Sequence, residues 1–411
     1  MKKTLLRNYA RLIARVGASV QKGQKVVISA QLDQPEFIAM LVEECYEAGA
    51  SEVSVEWQYQ PLEKLASRFE GVRELGNVPS WEEEKMKERT RDLPVTIRIA
   101  SADPDGMKGA DRDKLTMASM ARSAILKPYQ DALTNRHQWC VAAVPSVGWA
   151  KKIFPGIRAN AAVERLWELI LETARADGKD PLTDWMWHNR ALREKCDRLN
   201  GLDLVALEYW SANGTQLKVG LIPQAQFIAG RKSTVDGKHF NPNIPTEECF
   251  TTPKRGSAEG IVYAVKPLSY GGELIENFWI RFEGGRAVEC GAEKNESLLK
   301  KILAMDEGAS YLGECALVPY ESPINQTGIL FYNTLFDENA CCHLALGRGY
   351  SNTIVGFEKY DRAEFAQMGV NDSSVHVDFM IGAEDLEITG ITKSGERIAV
   401  FEGGTWSRAL K

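Results

Sequence analysis

The chain has 411 residues, 44% of them hydrophobic and 26% charged, with a formal net charge of -6. That length and balance suit an ordinary soluble globular protein large enough for two domains. The negative charge argues against a nonspecific nucleic-acid binder, which needs a basic face, and no apolar run is long enough to predict a membrane-spanning helix.

At the N-terminus, Arg7, Asn8 and Arg11 interrupt any signal-peptide core, while Leu5, Tyr9, Leu12, Ile13 and Val16 recur at helical spacing. An amphipathic first helix is therefore expected. The eight cysteines are scattered without a C-x-x-C pair. Buried thiols in a reducing compartment fit that pattern better than a disulfide framework, and the expected location is cytoplasmic. Strands are predicted over residues 23–30, 51–57, 93–100 and 138–145, with helices between them, which is the alternation of an open α/β sheet. No G-x-G-x-x-G follows the first strand, so a dinucleotide site has no support. This half reads as scaffold and substrate-entrance wall. The charge run from Glu82 to Arg89 reads as a solvated helix face.

From residue 159 to 200 the chain reads as mainly helical, broken by a loop before Asp180 and Pro181, an N-cap followed by proline at the first helical position. His188 on the second of these helices, like His137 and His239, reads as a packed or surface histidine. After Gly201 the texture changes to short strands with Gly and Asn turns. Asn213-Gly214 suggests a hairpin between residues 202–209 and 216–221. Further strands at 260–265, 277–282 and 287–290 and a helix at 298–305 follow. The expected fold class is α/β plus α+β. An open α/β sheet domain with a helical extension covers 1–201, and a β-rich catalytic domain covers 202–411.

The chemistry gathers in the last hundred residues. His376 and Asp378 are two apart on a predicted strand, so both side chains leave one face, and an imidazole beside a carboxylate suits Zn, Mn, Co or Fe. Glu314 stands in an otherwise apolar strand, where it must be paired, protonated or bound to a cation. Glu247 and Glu248 are adjacent on an extended segment and point to opposite faces, so only one enters a site. His343 lies in another short apolar run.

The segments Asn243-Ile244-Pro245-Thr246-Glu247-Glu248-Cys249-Phe250-Thr251, Gly313-Glu314-Cys315-Ala316-Leu317-Val318 and Phe331 to Ala340, with His343-Leu344-Ala345-Leu346-Gly347 and His376-Val377-Asp378, carry a resemblance. Together and in this order they resemble the M29 family of dinuclear metallo-aminopeptidases, the aminopeptidase T / aminopeptidase S group. The resemblance implies metal ligands at Glu248, Glu314, His343, His376 and Asp378, a catalytic tyrosine at Tyr350, and a homodimer. It implies a metallo-exopeptidase that hydrolyses the N-terminal bond of peptides with a free N-terminus through a dinuclear metal-bound hydroxide, holding two divalent ions per chain (Zn, Co, Mn or Mg).

Charge supports the dinuclear expectation. Three carboxylates and two neutral imidazoles carry -3, which two divalent cations exceed by just enough to hold one hydroxide. Glu248 and Glu314 are the candidates for the general base, and Tyr350 for the donor to the oxyanion. The cysteines beside three ligands, Cys249, Cys315 and Cys342, are expected to point away from the metals. Two other readings compete. One is a mononuclear iron oxygenase using His343, His376 and Asp378 as a two-histidine, one-carboxylate triad. The other is a peptide-binding protein that keeps the pocket without turnover.

Overall fold

The four strands expected in the first half form one parallel sheet, in the order Glu52–Gln58, Lys25–Gln31, Val95–Ala100, Trp139–Ala143. Period-2 apolar residues drive it: Val26, Ile28 and Ala30 on one strand and Val95, Ile97 and Ile99 on the next are all buried. Connections between parallel strands must cross over, and helices supply them. Pro35–Glu47 follows the first strand, Ser80–Asp92 leads into the third and Arg112–Leu133 into the fourth. The N-terminal helix Lys3–Leu12 buries Tyr9, Ala10 and Leu12 as its periodicity predicts. The Glu82 to Arg89 run lies within Ser80–Asp92, a helix with no buried residue.

The computed structural model describes residues 1–410. The chain divides into two compact units, residues 1–185 with 231–245, and residues 186–230 with 246–411. The change of texture at residue 201 marks where strands begin, at Leu204–Trp210. The units part earlier, within the helix Pro181–Asn200. The excursion 231–245 returns to the first unit, where the Val141 N–H donates to the Pro242 carbonyl and the Ile244 N–H to the Val141 carbonyl. Among the described residues no helix is long and apolar enough to cross a membrane.

The second unit holds a nine-stranded antiparallel sheet and a five-stranded antiparallel sheet. The Asn213-Gly214 hairpin is present, joining Leu204–Trp210 to Gln216–Leu221. The five-stranded sheet runs His376–Met380, His343–Gly347, Leu312–Leu317, Cys249–Thr251, Ile228–Ala229. One of its faces is apolar: Cys249, Cys315, Leu317, Leu344, Leu346, Val377 and Phe379 join one core with Leu207, Val219, Phe278 and Ile280 of the larger sheet. Burying such side chains contributes roughly 1.5–3 kcal/mol each. That face holds the sheet in place. The other is free to carry chemistry.

Candidate metal centre

Register decides what the second face carries. Residues opposed across an antiparallel ladder share a face, as do residues two apart on one strand. Glu314 opposes Ala345, and Ala345 opposes Asp378. His343 opposes Ala316, and Gly347 opposes His376. Glu314, His343, His376 and Asp378 therefore stand on one face around the small residues Ala316, Ala345 and Gly347. Phe250 opposes Ala316, so Glu248, two residues earlier, projects to the same side and Glu247 to the other. Alternation also sends Cys249 and Cys315 into the core. The Cys249 thiol donates to the Leu192 carbonyl and the Cys342 thiol to the Val318 carbonyl, so neither faces the cluster.

Two glycines are required by this geometry. Gly347 has φ +97°, and a Cβ there would lie 2.2 Å from the Val375 carbonyl oxygen. Gly313 sits where the Glu314 strand bulges, and a Cβ would lie 2.3 Å from the Arg348 carbonyl oxygen. The bulge re-aims Glu314.

The side chains converge in two groups of three. Ligand atoms of Glu248, Glu314 and His343 lie within 4.8 Å of one another, as do those of Glu314, His376 and Asp378. Glu314 belongs to both. The His376 Nε2 is 3.1 Å from Glu314 Oε2 and 3.2 Å from Asp378 Oδ1, and the His343 Nε2 is 3.4 Å from Glu248 Oε2. Each imidazole turns its other nitrogen to the main chain. The His376 Nδ1 donates to the Arg348 carbonyl at 2.8 Å and the His343 Nδ1 to the Cys341 carbonyl at 3.3 Å. With Nδ1 carrying the proton, Nε2 presents its lone pair to the cluster, which is how metal-bound histidines are oriented.

The electrostatics demand positive charge. Burial works against a charged His343, yet the adjoining Glu248, Asp378 and Glu314 carboxylates push its pKa up to about 10. His376 rises well above its ordinary value for the same reason, through Asp378 and Glu314. Burial, then the neighbouring Glu248 and Asp378, raise Glu314. Burial also opposes the Asp378 charge, but the two imidazoles hold its pKa low. Asp378 Oδ1 is fully buried, with the His376 Nε2 as the polar atom beside it. Imidazole and carboxylate donors, buried together with an excess of negative charge that pulls protons onto both imidazoles, fit divalent cations, which would take the place of those protons.

Tyr350 lies over this face. Its ring packs edge-on to Phe250 at 5.5 Å and against His376 at 4.9 Å, and its hydroxyl is 3.3 Å from His376 Nε2. Thr252 accepts from the Tyr350 N–H and donates to its carbonyl, and Thr353 donates to that carbonyl as well. Burial and the nearby Glu314 and Asp378 raise the phenol well above its ordinary pKa, so it remains a donor. The Arg348 guanidinium turns away to the Ser373 carbonyl at 3.1 Å.

Sequence reading missed Glu338. It lies in the turn Glu338–Ala340, and burial, then Asp378, Glu248 and Glu314, push its carboxyl well above the usual range. The acidic pair Asp337-Glu338 set between buried Leu335, Phe336 and Ala340 was the available signal. Glu338 is brought close by its neighbour Asp337, whose Oδ1 accepts from the Phe331 N–H at 2.8 Å and Oδ2 from the Asn333 N–H at 3.0 Å. Those bonds hold Tyr332 at φ +56°, a conformation a bulky side chain rarely adopts. Asp337→Asn sets an amide donor against one of the two N–H groups. It is expected to cost about 1–3 kcal/mol, read as a lower urea midpoint with an unchanged slope. His188 is packed, bonding the Thr246 carbonyl at 2.7 Å, and its Nε2 lies 3.9 Å from Glu247.

A carboxylate-imidazole cluster on a sheet face, fitted for divalent cations, belongs to a metal-dependent enzyme, and a family model described as thermophilic metalloprotease (M29) matches residues 2–406. The chain belongs to the M29 family. It is 42% identical over 404 residues to aminopeptidase AmpS of Bacillus subtilis, covering 98% of each chain. It superposes on wild-type AmpT from Thermus thermophilus with a TM-score of 0.90 at 38% identity, covering 98% of this chain and 99% of that one. A 2,5-dihydroxypyridine dioxygenase from Pseudomonas putida KT2440 shares the fold alone, at TM-score 0.52 and 11% identity, covering 99% and 98%. Fold by itself does not choose between these chemistries; the site must.

Proposed function

We propose that this chain is an aminopeptidase that releases the N-terminal residue of peptides at a dinuclear centre held by Glu248, Glu314, His343, His376 and Asp378. The observation that carries the proposal is the pair of three-ligand groups sharing Glu314. The oxygenase alternative requires His343, His376 and Asp378 around one iron, whereas the two imidazoles fall in different groups. Charge agrees. With Glu338 the cluster holds four carboxylates, which two divalent cations neutralise. Family relatives named aminopeptidases support the substrate class, peptides with a free N-terminus. A homodimer in the cytoplasm completes the proposal.

Two divalent cations held by these residues would lower the pKa of a water, polarise the scissile carbonyl and take the free α-amine. The chain's own residues do the rest. Glu314, which belongs to both groups, would contribute to both. The Tyr350 hydroxyl donates to the oxygen on which negative charge develops. Glu338, a buried carboxyl beside the Asp378, Glu248 and Glu314 charges and outside the five ligands, would take a proton from the attacking water and return it to the departing amine, with Glu248 and Glu314 engaged as ligands.

The test is metal content per chain together with hydrolysis of an amino-acid amide panel, before and after chelation and readdition of Co, Mn or Zn. Two ions per chain, with activity lost on chelation and restored on readdition, are expected. One iron per chain with no amide hydrolysis would hand the site to the oxygenase.

A further inference from the structure

One buried amide ties together two acidic segments of the cluster. Asn339 is fully buried, and its side chain uses both ends. Its Oδ1 accepts the Glu247 N–H at 2.8 Å, across 92 residues of sequence, immediately before Glu248. Its Nδ2 donates to the Leu335 carbonyl at 3.1 Å and to Glu338 Oε1 at 3.3 Å. The Ser322 hydroxyl donates to the Asn339 carbonyl at 2.7 Å, which anchors the residue's own backbone. The orientation of the amide is fixed by its partners, because the Glu247 N–H must meet the oxygen and two acceptors must meet the nitrogen.

Glu248 has little else to place it, because the strand that follows begins only at Cys249 and is three residues long. The turn Glu338–Ala340 is equally short. Neither segment has enough ladder of its own to hold a carboxylate to the tolerance that a metal ligand needs.

The geometry points to Asn339 as a positioning residue that sets Glu248 and Glu338 together and thereby tunes the cation held by Glu248, Glu314 and His343, leaving the one at His376 and Asp378 unaffected. This inference rests on the ligand set proposed above. A side chain that supplied only fold stability would move neither cation selectively. Outer-shell partners of metal ligands typically govern about 10–100-fold in affinity.

The experiment titrates Zn or Mn calorimetrically into metal-free wild type, Asn339→Ala, Asn339→Asp and Val262→Ala. The wild type is expected to show two binding events. In Asn339→Ala one of them weakens by about 10–100-fold while the other stays in place. Asn339→Asp keeps the acceptor for the Glu247 N–H but sets an oxygen against Glu338, and it too weakens only that event. Val262→Ala, a truncation inside the core of the larger sheet, lowers the urea midpoint but leaves both affinities intact, which separates positioning from stability. Asn339→Ala with a lower urea midpoint and two wild-type affinities overturns the inference, as does equal weakening of both events. A wild type with a single binding event overturns the ligand set itself.

Discussion

Glu314→Gln is expected to abolish metal-dependent turnover while leaving the fold intact. The reason is its double membership: it is the one carboxylate common to both three-ligand groups. An amide keeps the size and shape of the side chain, so the all-buried strand Leu312–Leu317 keeps its packing. What it removes is one negative charge and one of two equivalent oxygens. The loss should exceed the roughly 100-fold that outer-shell changes reach, because here the ligand itself is altered. Metal content should fall below two per chain, and circular dichroism should match wild type. Full activity in the variant would sink the dinuclear assignment.

Tyr350→Phe should separate the hydroxyl from the ring. The ring contacts with Phe250 and His376 and the main-chain clamp by Thr252 and Thr353 do not involve the phenol oxygen. Position and metal content are therefore preserved, and what is lost is the hydroxyl, with its 3.3 Å contact to His376 Nε2 and its donation to the developing oxyanion. A donor of that kind is worth about 2.7–4 kcal/mol, so kcat should drop by about 100- to 1,000-fold with KM little changed. A rise in KM at constant kcat would assign Tyr350 to substrate binding instead.

Sequence patterning exposed the strands of this site and not the turns. His376 and Asp378 stand two apart in a run whose alternation is readable without knowing the partner strand, and Glu314 stands out as a lone charge in an apolar run. Alternation alone left Glu247 and Glu248 open and only the family resemblance implied Glu248; the pairing of Phe250 with Ala316 that puts Glu248 on the cluster's face is something no sequence pattern states. Glu338 and Asn339 were missed because Thr334–Asp337 and Glu338–Ala340 are single turns, too short for a helical period. The excursion 231–245 was equally opaque, since its strands Lys232–Ser233 and His239–Phe240 are two residues each. Parallel strands with crossover helices were legible from alternation alone; the return of a distant segment to that unit was not.

The main-chain carbonyls behind His343 and His376 have an evolutionary consequence. A carboxylate that orients a metal histidine can be lost in one codon change, whereas the carbonyls of Cys341 and Arg348 exist whatever residue stands there. A change of side chain at 348 thus leaves the carbonyl behind His376 in place, whereas Cys341, fully buried, is held to its size by packing. Only changes that displace the backbone reach that contact, and Gly347, adjoining Arg348, is where one extra carbon would do so. Variation in the aim of His376 is therefore expected to run through this neighbouring glycine rather than through the side chain at 348.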